Sequence, residues 1–408
     1  MNRKTLLLHP LFLFTSVWSA DLVLYIMRFS KLLNATDQEA SSVIGIILIP
    51  YAVILGGATL FFHLAPKRRV QRTHLMCVPA NDDEDLLALK RRLKKWLFVG
   101  MFLSLIEIVA SGGLPLFWLV SGNPKTYADF GIPSLHGLVN SMLLALSVCY
   151  TGIFARYGGR RNLLCSLGIF FWAILLVTRN MMMVNFLQTG MVIVLYRGIP
   201  PKLGIKILAA VLVIILGFGF MGDLRSGADS FRTLAQPTTS YPEWLPSGVL
   251  WAYIYLTTPL NNLIYTIHSI QPTNNFLFPN TVAPLFPTVV RNVVYGESAE
   301  AALSGELVDS AFNVSTAYVG PYQDYGAFGM MGFSALISLI GGFYWWRNNF
   351  RDGLIYVVIC QCLLITVFYD YFFSLPIITQ VFWIYLFMRA RKAKRSQTAM
   401  HAAPASSA

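Results

Sequence analysis

Charged side chains are scarce in this sequence. Asp, Glu, Lys and Arg make up 12% of its 408 residues and apolar residues 56%, against about 25% and about 45–50% in a soluble domain. A water-soluble fold could not cover its own surface with so few charges, so the composition excludes one. The same arithmetic excludes a disordered chain and a coiled coil. Cysteine is scarce too: Cys77, Cys149, Cys165, Cys360 and Cys362 are the whole set. None lies in a segment read below as facing outward, which excludes a disulfide-stapled secreted scaffold. Cys360 and Cys362 sit one residue apart in an apolar run, a spacing that suits no metal, and the six His are scattered. There is no Walker loop, no glycine-rich dinucleotide loop and no internal repeat. The sequence implies no metal and no cofactor.

What it has in abundance is long apolar runs. Runs near the roughly 17–25 residues that cross a bilayer occur at 5–27, 41–63, 96–118, 134–155, 162–178, 181–197, 203–221, 329–346, 354–371 and 374–388. The expected fold is therefore an all-α polytopic integral membrane protein of about ten transmembrane helices. The first run is kept as a span, because bulky Trp18 precedes the only small-residue end, Ser19–Ala20, that a signal peptidase would cut.

The net charge of +12 resembles a nucleic-acid signal until the cations are mapped. They cluster beside the apolar runs, at Lys67–Arg72, Lys90–Lys95 and Arg389–Arg395, with no aromatic-interleaved basic groove. Nucleic acid is excluded as a partner. Basic loops are retained in the cytoplasm, which places both termini there with 64–95, 156–161, 197–202 and 347–353. Segments 28–40, 119–133, 222–328 and the tip 371–373 then face outward. All Lys and Arg except Arg28, Lys31, Lys125, Arg179, Arg225, Arg232 and Arg291 fall on the inner side or its boundary. Four units follow: an N-terminal bundle of seven helices, 1–221; a periplasmic loop, 222–328; C-terminal transmembrane helices, 329–388; and a basic cytoplasmic tail, 389–408. The apolar stretch 249–265 is read as re-entrant or interfacial, because a true span would move every later basic loop outside.

The outer loop carries Arg225, Arg232 and Arg291 but no Lys, beside eight carboxylates that include Glu306, Asp309 and Asp324. Arg grips phosphate oxygens with a planar fork where Lys offers a point charge, so these arginines are candidate pyrophosphate clamps; ordinary Arg–carboxylate pairing is the alternative. Charges within apolar runs are costly. Asp21, Glu107, Arg179 and Asp370 each fall at mid-depth or in the outer half of the membrane on this topology and point to a polar chamber opening outward. A structural pair between Arg179 and Asp370 would account for two of them. His136, where an outer loop enters a helix, suits a general base or a hydrogen-bond partner for a sugar hydroxyl; the plainer role is a structural helix-start His. Interfacial belts account for most of the aromatic residues.

The stretches Glu107-Ile-Val-Ala-Ser-Gly-Gly-Leu-Pro-Leu and Tyr127-Ala-Asp-Phe-Gly131-Ile-Pro-Ser-Leu-His136-Gly, with the later Asn313-Val-Ser-Thr and Gly320-Pro-Tyr-Gln-Asp324-Tyr-Gly326-Ala-Phe-Gly329, resemble the Wzy-type O-antigen polymerases. The likeness covers most of the chain through topology, but only some short motifs through residues. It implies a GT-C-like glycosyltransferase of the bacterial inner membrane, independent of metal and active at the periplasmic face. Its substrates would be oligosaccharide repeat units on undecaprenyl pyrophosphate, and its partner a Wzz-type chain-length regulator. On this resemblance Asp324, Glu107 and His136, in that order, are candidates for the catalytic base. Arg179, Arg225, Arg232 and Arg291 would hold the pyrophosphate, and Asn313 and Tyr318 would contact substrate. Two other readings stay open: an O-antigen ligase, and a flippase or other transporter of lipid-linked oligosaccharide. Transporters usually carry repeated halves, and the halves here are dissimilar.

Overall fold

A computed structural model describes residues 3–64, 83–198, 205, 209, 228–242, 244–245, 247–295, 305–347 and 349–389. The expected span 203–221, apart from residues 205 and 209, and Arg225 lie outside the described residues. The described helices are α1 (Pro10–Ile26), α2 (Asp37–Leu64), α3 (Asp83–Ser111), α4 (Pro115–Ser121), α5 (Leu135–Tyr157), α6 (Arg160–Leu175), α7 (Arg179–Arg197), α8 (Ala228–Ala235), α9 (Ser247–Ser269), α10 (Pro279–Val282), α11 (Thr288–Tyr295), α12 (Val319–Trp346), α13 (Phe350–Ile365) and α14 (Leu375–Phe387). Among the described residues the only β-type pairing is an isolated antiparallel bridge between Ser30 and Pro237. Four segments, Asp37–Phe61, Asp85–Ser121, Leu135–Tyr157 and Val319–Trp346, are long and apolar enough to cross a membrane. The all-helical architecture is that of a helical membrane protein.

Local chemistry sets the helix ends. Pro10 and Pro115 open α1 and α4, where a missing N–H costs nothing. Thr36 and Glu39 form a capping box before α2: Glu39 Oε2 accepts the Thr36 N–H at 2.6 Å, and the Glu39 N–H reaches Thr36 Oγ1 at 3.2 Å. Three expected boundaries move. The run 96–118 is broken after Ser111, where Gly112 and Gly113 take positive φ. The helix expected from 329 starts at Val319 and departs from helical geometry at Tyr325 and Gly326, so the loop boundary drawn at 328 falls inside α12. The run 354–371 is helical only to Ile365, which leaves Asp370 in the turn before α14.

Burial sorts the helices. The apolar window of α5 is 83% buried, against 28% for α2 and 22% for the α3–α4 segment. Helix α5 is therefore a central post, with the largely buried α13, whereas α2 and the α3–α4 segment present much of their apolar surface to lipid. Uncharged polar groups cross-link the core. Ser147 of α5 bonds Ser166 of α6 and Asn185 of α7, both at 2.9 Å, and Gln188 of α7 bonds Gln361 of α13 and Gln380 of α14. These pairings satisfy polar groups that hydrocarbon could not.

The contacts also show which helix ends lie together. At one end Arg92 of α3 donates to the carbonyls of Phe387 and Arg389, and Arg197 of α7 donates to those of Phe154 and Ala155 in α5. Tyr196 bonds the Phe350 carbonyl, and Arg156 lies over Phe350. This end gathers Arg92, Arg156, Arg197, Arg351 and Arg389. The opposite end gathers the start of α5, the start of α7 and the turn between α13 and α14. There Glu107 meets His136 and Tyr371 bonds Asn180. Basic groups thus mark one end of the bundle, and the carboxylates and His singled out in the sequence mark the other.

Candidate functional site

Glu107, near the close of α3, is 1% exposed and faces the loop that leads into α5. Its carboxylate oxygens lie 3.2 and 3.3 Å from His136 Nδ1, and Oε1 accepts the Ile132 N–H at 3.4 Å. Gly131 makes this possible. Its φ is +96°, and a Cβ there would lie 2.6 Å from His136 Cγ, so only glycine lets the imidazole fold back over the loop. The motif glycine and histidine are one structural unit. On the far side of the ring, Asn140 Nδ2 lies 2.8 Å from His136 Nε2, while the buried Asn140 Oδ1 has no hydrogen-bond partner among the described residues. As placed, Asn140 serves an imidazole with its proton on Nδ1. The same amide turned over would accept an N–H from Nε2, so the pair fits both protonation states. Removing Glu107 leaves the Nδ1–H and the Ile132 N–H without an acceptor. Both donors are part-buried, so Glu107→Ala is expected to cost about 2–4 kcal/mol, toward the lower part of roughly 1–3 kcal/mol for each donor. Thermal unfolding in detergent measures this, and a drop no larger than that of a surface substitution would contradict it.

Asp324, ranked first among the bases on sequence, occupies a different kind of place. It has no exposed surface and accepts four hydrogen bonds. Oδ1 takes the Asn280 N–H at 3.1 Å and Asn280 Nδ2 at 2.9 Å; Oδ2 takes the Thr281 N–H at 2.9 Å and Thr281 Oγ1 at 2.6 Å. Four residues earlier, a Cβ on Gly320 would stand 2.6 Å from the Asn280 carbonyl oxygen. The Gly320–Asp324 motif is therefore a joint that clamps α10 onto the start of α12. With every lone pair engaged, the carboxylate is an anchor.

Asp370, singled out in the sequence as a charge in an apolar run, is not among the ranked bases. It lies in the turn between α13 and α14, where Oδ1 accepts the N–H groups of Phe372 at 2.8 Å and Phe373 at 3.3 Å. Among the described residues its Oδ2 accepts no hydrogen bond. Burial raises its carboxyl to about 7, against the help of those two N–H bonds. On one side Tyr371 ties this turn to Asn180 at the start of α7, and Arg179 is the neighbour of that residue. On another side lies Arg291 of α11, which is 8% exposed and acts electrostatically on Tyr369. The structure thus joins the Asp370 turn to the start of α7 through Tyr371 and Asn180.

The remaining candidates disperse. Tyr318 is fully buried, with its hydroxyl 2.9 Å from Ser334 Oγ and its ring edge-on to Trp18 and Phe333, and it packs the core. Asn313 and Arg232 are exposed, Arg232 on α8 close enough to act on Tyr241. Asp21 is 4% exposed, and neither of its oxygens has a hydrogen-bond partner among the described residues. It lies on the α1 face between Trp18, which donates to Thr366, and Tyr25, which donates to Asn261. One end of the bundle thus holds two groups able to handle a proton, His136 and Asp370, the second in a turn that is tied to Asn180 and whose Tyr369 feels the charge of Arg291. No family model, no curated protein and no solved structure matches this chain.

Proposed function

We propose that this protein is an oligosaccharide polymerase: a glycosyltransferase, anchored by about ten helices with both termini cytoplasmic, that joins repeat units carried on undecaprenyl pyrophosphate. The observation that carries this reading is the Asp370 turn. A carboxyl with one tethered oxygen, raised by burial to about 7, lies in a turn that Tyr371 ties to Asn180, next in sequence to Arg179, and whose Tyr369 feels the charge of the buried Arg291; this turn is at the bundle end away from the basic loops. The positive-inside rule makes that end periplasmic.

In the reaction, Asp370 takes the proton of an acceptor sugar hydroxyl. The freed oxygen attacks the anomeric carbon of the donor from the face opposite its leaving group, and a new C–O bond forms with inversion. The bond between that carbon and the pyrophosphate breaks, and the electron pair departs with the lipid pyrophosphate. Arg179 and Arg291 stabilise the charge that develops there, a fixed-donor effect worth about 10²–10³ in rate for a single group. His136, oriented by Glu107, holds the acceptor through its Nε2 once Asn140 turns aside. A Wzz-type regulator fits as the partner that sets chain length.

Lipopolysaccharide from a deletion strain, restored with wild type or with Arg291→Ala, tests the proposal. The expected pattern is lipid A-core bearing a single repeat in the deletion strain, a full ladder with wild type, and a ladder reduced to its lowest rungs with Arg291→Ala. Loss of all O-antigen from the core in the deletion strain would point instead to a ligase or a flippase. An unchanged ladder would end the reading.

A further inference from the structure

Helix α11 is amphipathic in the wrong sense for a protein surrounded by water. Its arginine, Arg291, is buried, while Val290, Val293 and Val294 are exposed, Val293 by 82%. Immediately before α10, Phe276, Leu277 and Phe278 are also exposed, Phe276 by 86%. The two apolar groups belong to one surface, because Tyr295 Oη donates to the Leu277 carbonyl at 3.3 Å and Phe286 packs beside Tyr295. From Gln271 to Tyr295 the sequence contains a single charged residue, the same buried Arg291. A segment of this length facing water would normally carry several charges, and a monomer rarely leaves so much contiguous apolar surface to solvent.

The patch is continuous with a surface already assigned to lipid. Phe276 and Phe278 pack against Tyr325, at ring-centroid distances of 5.7 and 5.0 Å. Tyr325 belongs to α12, a helix long and apolar enough to cross a membrane. From there the exposed apolar side chains of α12, beginning with Phe328, continue along the helix. The Asp324 joint fixes α10, between the two apolar groups, against the head of the same helix. We infer that residues 276–295, although part of the long connection read as a periplasmic loop, lie in the membrane. The Phe276–Phe278 tip and the valine face of α11 insert into the apolar layer of the lipid leaflet at the head of α12, as an interfacial amphipathic element does. Arg291, on the inward face of α11, is thereby held at headgroup depth inside the protein. The inference rests on membrane residence and needs no assumption about glycosyl transfer.

Spin labels test it. The full chain, with Cys77 and Cys165 replaced by Ser, carries a nitroxide at Val293→Cys, at Phe276→Cys or, as a control in a polar loop, at Ala128→Cys. Each is reconstituted in nanodiscs of phosphatidylethanolamine and phosphatidylglycerol. Collision with molecular oxygen, which partitions into lipid, is compared with collision with a nickel chelate, which stays in water. The expected result is a several-fold preference for oxygen at positions 293 and 276 and the reverse at 128. Free access of the nickel chelate to 293 and 276 would place the segment in water and overturn the inference. Shielding of both positions from both reagents would overturn it in favour of cover by protein, such as a second copy of this chain. Because the labelled side chains are exposed, the substitutions do not threaten folding, and neither outcome depends on whether the protein polymerises glycans.

Discussion

Asp370→Asn is expected to give a protein that is more stable than wild type at pH 8 and at least a hundredfold slower in repeat-unit transfer. The two effects share one cause. Burial lifts the folded-state carboxyl from 3.8 to about 7, so between those values the folded protein binds a proton that the unfolded chain has released. Where the native state binds more protons, stability falls as pH rises. Wild type therefore loses stability from about pH 4 until its Asp370 has ionised, somewhat above pH 7. Asn has nothing to ionise, yet its side-chain oxygen can still accept the N–H bonds of Phe372 and Phe373. Melting temperatures in detergent should agree at low pH and diverge toward pH 8 in favour of the variant, by about 2–4 °C for each kcal/mol recovered.

Activity runs the other way. A general base contributes about 10²–10⁴ in rate and must be deprotonated to act. Wild-type transfer should rise through pH 7, and the variant should be slow at every pH. A gain in stability joined to a loss of activity is the mark of a group held in an unfavourable state for a purpose. If Asp370→Asn made polymer at the wild-type rate, the base would have to be sought at His136. If the two melting curves kept a constant separation from pH 5 to 8, the raised carboxyl itself would be wrong.

Asp324→Ala should fail for a structural reason. The substitution strips acceptors from four buried or half-buried donors, two backbone N–H groups and the side chains of Asn280 and Thr281. At roughly 1–3 kcal/mol for each unsatisfied donor the loss is on the order of 4 kcal/mol or more, a size reserved for broken buried networks. Little folded protein should be recovered from membranes. Asp324→Asn retains one acceptor oxygen and should fall between, with reduced melting temperature and with activity per folded molecule largely intact. That last measurement separates an anchor from a base: a stable, correctly folded Asp324→Asn protein without activity would restore the catalytic role that its place in the sequence suggested.

Much of the architecture could be read from the chain alone because it follows from composition and period. Scarce charge and repeated apolar runs require helices in lipid, since only an unbroken helix satisfies its own backbone there. Helices α1 to α7 and α12 to α14 accordingly fall on or overlap expected runs, whereas α8, α10 and α11 lie in the segment read as a loop, and the described cations Arg92, Arg156, Arg197, Arg351 and Arg389 gather at one bundle end. Boundaries were less legible. Hydropathy sees an apolar residue but not its dihedral angles, so it carried the third run through the Gly112–Gly113 break and the ninth through the Asp370 turn.

The sequence by itself determined that this is an all-helical membrane chain and which residues are out of place in lipid. It also named Glu107, as a charge within an apolar run, and His136, where an outer loop enters a helix; that the two meet across 29 positions only the structure showed. Only the tertiary structure decided the roles of the carboxylates. Asp324 and Asp370 look alike as letters, each an acid near an apolar run. One meets four donors contributed by a segment 43 and 44 positions away, and the other keeps an oxygen without a hydrogen bond among the described residues in a turn whose Tyr369 feels the charge of Arg291. A carboxylate's chemistry is set by the donors and the solvent around it, and those neighbours come from chain segments that no local pattern connects.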